Sequence, residues 1–452
     1  MPRIATAAAI GVATALVAGA ATALAQQPAQ TTPTTTAPTA PAGPPALSSL
    51  RLPRVISAQQ GHARFLVGIK LATPAKLTVQ VAKPDGSIAQ TSTDASDRPA
   101  GRTYLRIEAV DGRGFQLLPG RYRIRLQATD AQNRTSAVVQ RAFQLKLTAP
   151  RGMVDAYTVP LVKAFQRQAG TTAQGQLIAV VGPKGAFVGS GLRRGDVVTS
   201  LNGTAITSPG VWTTVLRALP ASTPVPITYV RKGQTVQSNV TLKPDWTAAP
   251  NYAASLAVAV KREPRVVAYR VAQARQRLDA GAPAEALKLW AGWPKAWRVT
   301  AQGELLRADV MARQGKWKPA LGAYNRARTK DPKLAAAWFG RGVALSALDR
   351  DQPSLESFQT AVGLDPADAA SLGYQAYAEI SLQRYPEAVA SAARAVRLDP
   401  RYADAFLPYG IALAKTGDRA GALKALRRGL ILLDDAQRAA TVISEDLNPL
   451  DP

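Results

Sequence analysis

An Asp-Pro pair recurs at a fixed interval in the C-terminal half of this chain of 452 residues. The pairs begin at Asp331, Asp365 and Asp399, an interval of 34 residues from each copy to the next. Proline lacks the backbone N–H that a helix requires, and it disfavours the helical conformation of the residue before it. Each pair therefore predicts the end of one helix at the same point of a repeating unit.

Other residue types keep the same interval, as expected for helices that pack in the same way in every unit. Small residues, which let two helices approach closely, recur at Ala286, Ala320, Ser354, Ala388 and Ala422. A large side chain follows four positions later at Trp290, Tyr324, Phe358 and Leu426, with Ala392 as the exception. Glycine stands at Gly281, Gly315 and Gly417, where a helix end often needs a left-handed residue. The C-terminal half is thus predicted to be a stack of paired helices.

This register resembles the tetratricopeptide repeat, in which two antiparallel helices form each unit and the units stack into a right-handed all-α superhelix. The resemblance implies a repeat region over residues 262–447, with units near 267–300, 301–334, 335–368, 369–402 and 403–434. The first unit is degenerate, and residues 436–447 are expected to form a C-terminal capping helix. Such a stack presents a concave surface to a partner.

The resemblance also implies which residues line the concave groove, because the fifth and ninth positions of each unit's first helix face it in this family. On this chain they are Leu305, Asp309, Phe339, Val343, Gly373, Tyr377, Leu407 and Ile411. None is the Lys or Asn with which chaperone-binding members hold a terminal carboxylate. A largely apolar groove with aromatic residues is expected to bind an amphipathic helix or an extended apolar segment. The alternative is that some of these side chains pack between helices.

Residues 150–247 predict a smaller, β-rich domain with one main helix. A buried strand is expected over Leu177–Val181, and Asn202-Gly203 favours a hairpin turn with positive φ. Ser208 is placed to cap a helix over residues 209–219, which has proline in its first turn. A closing strand pair is expected to turn at Lys232-Gly233.

The segment GLRRGDVVTSLNG and the elements around it resemble a PDZ domain, a β-rich α+β fold, of the bacterial envelope-protease type. In this family an extended peptide adds a strand to the sheet edge beside the helix, while loop N–H groups bind its terminal carboxylate. The resemblance implies that the peptide-binding residues are Arg151, Gly152, Met153 and Val154 in the loop and Trp212, Val215 and Leu216 on the helix. The loop matches the family pattern in its glycine and the apolar residue after it. The alternative is that the helix residues pack the domain core.

Residues 50–148 alternate between apolar and polar side chains, as half-buried strands do. In GRYRIRLQA, Tyr122, Ile124 and Leu126 are predicted to face the core and the three arginines to face the opposite side. About seven short strands separated by turn signals indicate an all-β sandwich. The segment resembles bacterial immunoglobulin-like domains. The arginine row is expected to be either an anion-binding strand face or a plain solvated one.

The N-terminus has the pattern of a secretory signal peptide. An arginine precedes an apolar run that ends at Ala23-Leu24-Ala25, so cleavage is expected after Ala25, with a retained membrane anchor as the alternative. Residues 26–49 are rich in Pro, Thr and Ala and carry no charge, which predicts a disordered linker. The mature protein is therefore expected to be exported, to the periplasm or beyond the cell.

The composition limits the chemistry open to this chain. It contains no cysteine and one histidine, His62, which argues against disulfides, thiol catalysis, cysteine-based zinc sites and a Ser-His-Asp triad. Neither a nucleophile-elbow motif nor a phosphate-loop motif occurs in the sequence. The sequence therefore predicts a protein without enzymatic activity, cofactor or metal.

The net charge of +26 is densest in the β region, where residues 51–149 carry 16 Lys and Arg against 6 Asp and Glu. In an exported protein such an excess points to anionic envelope polymers rather than to nucleic acid. The leading prediction is an exported adaptor or scaffold whose PDZ and repeat modules bind proteins or peptides through C-terminal, apolar or amphipathic segments. The alternative is a cell-envelope attachment protein that binds anionic polymer or a membrane surface through its basic β domains.

Overall fold

The structure is a computed structural model that describes residues 43–59, 63–112, 115–148, 152–182, 186–244, 252–433 and 436–450. The predicted signal peptide, most of the predicted linker and His62 lie outside these residues. The chain divides into two compact units, one formed by residues 150–408 and one that joins the N-terminal β region with the residues from Tyr409 onward. Within the described ranges, no helix combines the length and the apolar character needed to cross a membrane.

The N-terminal β region is built from two sheets around one core. Its described strands are β1 (Leu47–Arg51), β2 (Val55–Gln59), β3 (Arg64–Leu71), β4 (Lys76–Ala82), β5 (Ile88–Thr93), β6 (Gly101–Glu108), β7 (Gly120–Thr129) and β8 (Val139–Thr148). One sheet has the order β1-β3-β6 and the other β2-β8-β7-β4-β5, in which β2 and β8 run parallel. The first strand begins at Leu47, inside the segment predicted to be a linker.

The alternation predicted for GRYRIRLQA is confirmed for its apolar residues. Ile124 and Leu126 are fully buried in the core shared by the two sheets, and Tyr122 packs against it while keeping part of its surface exposed. Arg121 and Arg123 are exposed on the other side of β7, and Arg125 is half-buried there. Because β7 lies in the middle of the five-stranded sheet, this arginine row runs along the centre of the sheet's outer face.

Residues 152–244 contain the PDZ-type arrangement of strands and helices. The elements are β9 (Gly152–Met153), β10 (Ala156–Pro160), α1 (Lys163–Ala169), β11 (Gln176–Val181), α2 (Ala186–Gly189), β12 (Val197–Leu201), β13 (Thr204–Ala205), α3 (Pro209–Ala218), β14 (Pro224–Arg231), β15 (Gln234–Thr241) and β16 (Lys243–Pro244). The main sheet has the order β10-β11-β12-β14-β15, with β13 added to β12. Asn202-Gly203 and Lys232-Gly233 have positive φ at the predicted hairpin turns.

The helical part of the same unit consists of helix pairs with the predicted interval. Its helices are α4 (Tyr252–Arg262), α5 (Val267–Asp279), α6 (Pro283–Ala291), α7 (Lys295–Arg298), α8 (Ala301–Arg313), α9 (Trp317–Lys330), α10 (Ala335–Ser346), α11 (Asp351–Leu364), α12 (Ala369–Ser381), α13 (Tyr385–Leu398) and α14 (Ala403–Lys415). The first helices of the units begin at residues 267, 301, 335, 369 and 403, as the repeat register predicts. The helical region itself begins earlier than predicted, because α4 packs Leu256 and Ala259 into a core shared with β10 and β11.

The residues that define the repeat have the packing expected of them. The small residues at the 34-residue interval are all fully buried: Ala286, Ala320, Ser354, Ala388 and Ala422. Gly281, Gly315 and Gly417 have positive φ at the turns between paired helices. Asp349 and Gln383 occupy the same turn in the two other units, also with positive φ, although their side chains make that conformation less favourable than it is for glycine.

The C-terminal residues of the second unit continue the helical pattern. After the boundary inside α14 come α15 (Arg419–Leu432), α16 (Ala436–Val442), a π-helical turn (Ile443–Leu447) and α17 (Asn448–Leu450). The capping helix predicted over residues 436–447 is therefore α-helical in its first half and π-helical in its second. Ile443 and Leu447 are buried, which accounts for the apolar residues of this segment.

Candidate peptide-binding site

The loop predicted to bind a terminal carboxylate is largely used inside the domain. Gly152 and Met153 form β9, which pairs with β16, and the Gly152 N–H donates to the Leu219 carbonyl at 2.7 Å. The side chains of Met153 and Val154 are buried. Arg151 lies outside the described residues. The loop therefore offers less free backbone to a ligand than the resemblance implies.

Helix α3 begins as the sequence predicts, with the Ser208 hydroxyl accepting a hydrogen bond from the Val211 N–H at 3.1 Å. Trp212 and Leu216, two of the three helix residues expected to face a ligand, are buried in the domain core. Val215 is half-buried and keeps part of its surface exposed. Of the three, Val215 is thus the residue best placed to contact a bound segment.

Another face of α3 is bound by the loops that follow two of the helical hairpins. The Asp365 carboxylate accepts hydrogen bonds from the Ser208 hydroxyl at 2.6 Å and from the Gly210 N–H at 2.9 Å. One turn further along α3, the Thr214 hydroxyl donates to the Ala367 carbonyl at 3.3 Å. Asp365 therefore satisfies a backbone donor in the first turn of α3, where helices have N–H groups without intrahelical partners.

The next Asp-Pro pair extends this contact. Arg217, near the end of α3, forms an ion pair with the buried carboxylate of Asp399, and its guanidinium lies over the Tyr402 ring at 5.7 Å from the centroid. The approach at the start of α3 is close, because a Cβ atom at Gly210 would lie 2.6 Å from an Asp365 carboxylate oxygen. We call this set of contacts the α3 clamp.

The sequence does not predict the α3 clamp, because an Asp-Pro pair by itself signals a helix end. Asp331 stands in the same register one unit earlier, and its carboxylate accepts a hydrogen bond from the Lys333 N–H at 3.1 Å in an exposed loop. Asp365 and Asp399 are buried, whereas Asp331 is half-buried. A lysine precedes Asp331 and a leucine precedes the other two, but the Asp-Pro pair itself is the same in all three copies.

Strand β10, the terminal strand of the PDZ sheet, is also held by the helical region. The Tyr157 hydroxyl donates to Asp279 Oδ2 at 2.7 Å, and the Tyr157 ring meets the Tyr252 ring edge-on at a centroid distance of 5.9 Å. Burial raises the pKa of Tyr157 well above its usual value, and burial raises the pKa of Asp279 to about 6. In the PDZ family the peptide binds at the sheet edge beside the helix. Here the strand at the end of the sheet, β10, and the helix, α3, are both held by contacts with the helical region.

The residues predicted to line the concave groove divide into two groups. Those that are buried, and so are not available as a groove surface, are Leu305, Asp309, Val343, Gly373 and Leu407. Those that are half-buried are Phe339, Tyr377 and Ile411. Close packing of neighbouring helices accounts for the first group, which agrees with the alternative of packing between helices.

Asp309 is the polar member of the buried group, and it is part of a charged network. Its carboxylate accepts a hydrogen bond from the Tyr324 hydroxyl at 2.8 Å and lies 3.3 Å from a guanidinium nitrogen of Arg275. Burial raises the pKa of Asp309, and Arg275 opposes that shift. The network supports the packing of the first repeats rather than forming a ligand site.

Two of the half-buried groove residues, Phe339 and Tyr377, belong to an aromatic cluster on α10, α11 and α12. The Phe339 ring lies 5.2 Å from the Tyr374 ring and 5.8 Å from the Phe358 ring, between centroids. Tyr377 lies 6.2 Å from Tyr374. Phe358 and Tyr374 are buried and support the more exposed rings. Phe339 and Tyr377 therefore form the candidate apolar contact surface of the repeats.

A comparison with protein-family models identifies a PDZ domain, whose model matches residues 159–242. No match to this chain was found among curated proteins. In the described part of the chain, no group of three or more His, Cys, Asp or Glu side chains could hold a metal ion.

Solved structures similar to part of this chain include several helical proteins. MamA from Desulfovibrio magneticus RS-1 is 18% identical, with 41% of this chain and 97% of that chain covered and a TM-score of 0.31. YrrB, a TPR protein with an unusual peptide-binding site, is 19% identical, with 41% and 95% covered and a TM-score of 0.32. TTC0263, a thermophilic TPR protein from Thermus thermophilus, is 23% identical, with 32% and 84% covered and a TM-score of 0.30.

Proposed function

We propose that this protein is an exported, non-catalytic adaptor that binds segments of other proteins through its PDZ domain and its helical repeats. The observation that supports this most directly is the combination of a PDZ domain, whose family model matches residues 159–242, with a stack of helix pairs. In the families that these modules resemble, both bind segments of other proteins. Strand β10 is buried over residues 156–159, so the contact surface proposed on the PDZ domain is the exposed part of α3 around Val215. The non-catalytic part of the proposal follows from the sequence, with one histidine and no cysteine.

The preferred PDZ ligand is an extended apolar segment rather than a terminal carboxylate. The Gly152 N–H is already bonded to Leu219. The carboxyl group of Asp155 is buried at the end of the same loop, 3.5 Å from Lys243 Nζ. A carboxylate brought to this loop would meet an acidic side chain as well as donors that are already used. Apolar contact with Val215, which keeps part of its surface exposed, is open to either kind of peptide end.

The aromatic surface of Phe339 and Tyr377 supplies a second contact of the same chemical kind. Aromatic side chains supported by buried neighbours are typical of the residues that contribute most to binding. Two modest sites on one chain raise the effective concentration of the second partner once the first is bound. The proposal is therefore an adaptor that brings two protein segments together, outside the cytoplasm.

The experiment uses the full chain and apolar peptides in free-acid and amidated forms. Val215→Asp tests the exposed part of α3 in the PDZ domain, and Tyr377→Ala tests the aromatic surface of the repeats. Gln359→Ala, an exposed position on α11, is the control. We expect some peptides to bind the unchanged protein equally well as free acid and as amide. Each of these peptides should bind one of the two test variants more weakly. Absence of binding in both forms, or binding that neither test variant reduces, would contradict the proposal.

A second candidate function, attachment to an anionic polymer, is favoured by the outer face of the five-stranded sheet. Arg121, Arg123 and Arg125 project from its central strand without an ion pair to any described residue. The described residues paired with them on β4 and β8 are Gln and Ala, so no carboxylate lies directly beside these arginines on the neighbouring strands. Binding of a polyanion here should weaken steeply with salt and should be lost when the three arginines are changed to glutamine. Binding that persists in the triple variant would exclude this face.

A further inference from the structure

A cavity of about 480 Å³ lies in the unit that contains the N-terminal β region. It opens where the chain passes from β1, the edge of one sheet, to β2, the edge of the other. Residues of β3, β6, β8 and α15 complete its walls. None of its lining residues belongs to the PDZ domain or to the aromatic surface of the repeats, and its volume falls in the range of small-molecule sites.

The walls of the cavity are mainly apolar. Leu52, Ile56, Phe65 and Leu66 belong to the buried side chains of the β region and line the cavity with their remaining surface. Val55 also lines it and exposes 46% of its surface, which is unusual for a large aliphatic side chain. An apolar ligand would cover these groups and remove them from water.

Four arginines, Arg51, Arg64, Arg141 and Arg427, are part of the same lining, and no acidic residue is among the described residues that form it. Arg64 is paired with Glu108, at 3.1 Å. Arg141 donates to a neutral acceptor, the carbonyl of Leu50, at 2.9 Å, so this bond leaves its charge uncompensated.

Arg427 is held at the cavity by an aromatic side chain. It donates to the Tyr104 hydroxyl at 2.5 Å, and its guanidinium lies over the Tyr104 ring at 5.2 Å from the centroid. Both contacts fix the position of the charged group. Fixed positive charge beside an apolar cavity favours a ligand that carries negative charge at one end.

We propose that this cavity binds an anionic amphiphile, a long-chain carboxylate of the fatty-acid type. The arginines would bind the carboxylate, because the guanidinium fork matches the two oxygens of that group. The acyl chain would lie against the apolar walls. A peptide fits less well, since its backbone N–H and C=O groups would meet mostly apolar side chains that cannot form hydrogen bonds with them. This inference does not depend on the adaptor function.

The test titrates the full chain with dansyl-labelled undecanoic acid and, separately, with the methyl ester of the same probe. Arg141→Gln is the test variant, because glutamine can still donate to the Leu50 carbonyl. Arg397→Gln, at an exposed arginine on α13 that belongs to none of the proposed sites, is the matched control. We expect the unchanged protein to bind the acid saturably. The ester should bind it about tenfold more weakly, and the Arg141→Gln variant should bind the acid about tenfold more weakly; tenfold corresponds to about 1.4 kcal/mol. The control variant should bind the acid as the unchanged protein does.

A second variant, Val55→Trp, keeps the proposal testable if Arg141→Gln disturbs the β region. The larger side chain at an exposed position should fill the cavity and abolish binding of the acid. Equal binding of acid and ester, or binding of the acid that survives both variants, would overturn the proposal. So would displacement of the probe by an apolar peptide with a free C-terminus but not by unlabelled palmitate, since that result would assign the cavity to a protein ligand.

Discussion

The α3 clamp yields a sharp prediction for Asp365→Ala. Asp365 is 5% exposed and accepts two hydrogen bonds from the start of α3, one from Ser208 and one from the Gly210 N–H. A hydrogen bond to a charged group contributes about 1.5–3 kcal/mol net, and a buried N–H left without a partner costs about 1–3 kcal/mol. These effects overlap, so the substitution is expected to destabilise the attachment of α3 by about 3 kcal/mol.

Asp331→Ala is the matched control, because it removes the same residue from the same position of an earlier repeat. The Asp331 carboxylate accepts one hydrogen bond from Lys333 in an exposed loop. Loss of this hydrogen bond should lower the free energy of unfolding by about 0.5 kcal/mol, as most surface substitutions do. Asp365→Asn, which keeps one neutral acceptor, should lie between the two.

Hydrogen exchange of the amides of α3 measures the attachment directly. A loss of about 3 kcal/mol corresponds to about a 150-fold loss of protection, provided that exchange occurs through detachment of the helix. The midpoint of urea unfolding should fall in the same order, with Asp365→Ala lowest. If Asp365→Ala and Asp331→Ala reduced the protection of α3 equally, the clamp would have no energetic role and the reasoning would be wrong.

Three further predictions concern the repeats and their contact with the PDZ domain. Gly340→Ala should lower the free energy of unfolding by about 1–3 kcal/mol, because the new Cβ would overlap the Tyr324 ring. Gly322→Ala should raise it by about 0.5–1 kcal/mol, because a Cβ has space there and alanine favours the helix. Urea unfolding of both variants compares the two effects. Gln383→Gly should stabilise by about 0.5–1 kcal/mol by relieving a positive φ, and an unchanged or lower unfolding midpoint would contradict this. Burial raises the pKa of Asp279 from 3.8 to about 6 in the folded state, so between these pH values the folded protein keeps a proton that the unfolded protein releases. The free energy of unfolding should therefore fall by about 2 kcal/mol as the pH rises from 4 to 7. Asp279→Asn should flatten that fall, whereas equal slopes in the two proteins would refute the assignment.

The repeat region could be predicted from the sequence because each repeat is defined by local rules. Asp-Pro ends a helix wherever it stands, and alanine at a close helix contact needs only its neighbouring helix. The first helices therefore begin at the predicted positions, and the small residues are buried. The hairpin turns of the PDZ domain were predictable for the same reason, since Asn-Gly and Lys-Gly determine backbone conformation over two residues.

The candidate ligand-binding residues could be predicted less well, because exposure is not a local property. Trp212 and Leu216 lie on the apolar face of α3 whether a ligand or a sheet covers that face, and in the structure the domain core covers it. Likewise Leu305 and Val343 are buried against neighbouring helices rather than facing an open groove. Phe339, at the same repeat position as Leu305, keeps part of its surface exposed. The position of a residue in the repeat determines which way its side chain points, but it does not determine whether another helix or solvent lies in that direction.

The sequence by itself determined the order of the modules, the 34-residue helical interval, the alternation along β7 and the scarcity of catalytic side chains. Those properties follow from backbone preferences and composition, which act over a few residues. Only the tertiary structure decided that Asp365 and Asp399 bind α3 while Asp331 binds its own loop, and that four arginines line one apolar cavity. The reason is physical: hydrogen bonds and charges act between groups that are near in space, and residues more than a hundred positions apart become neighbours only when the chain has folded.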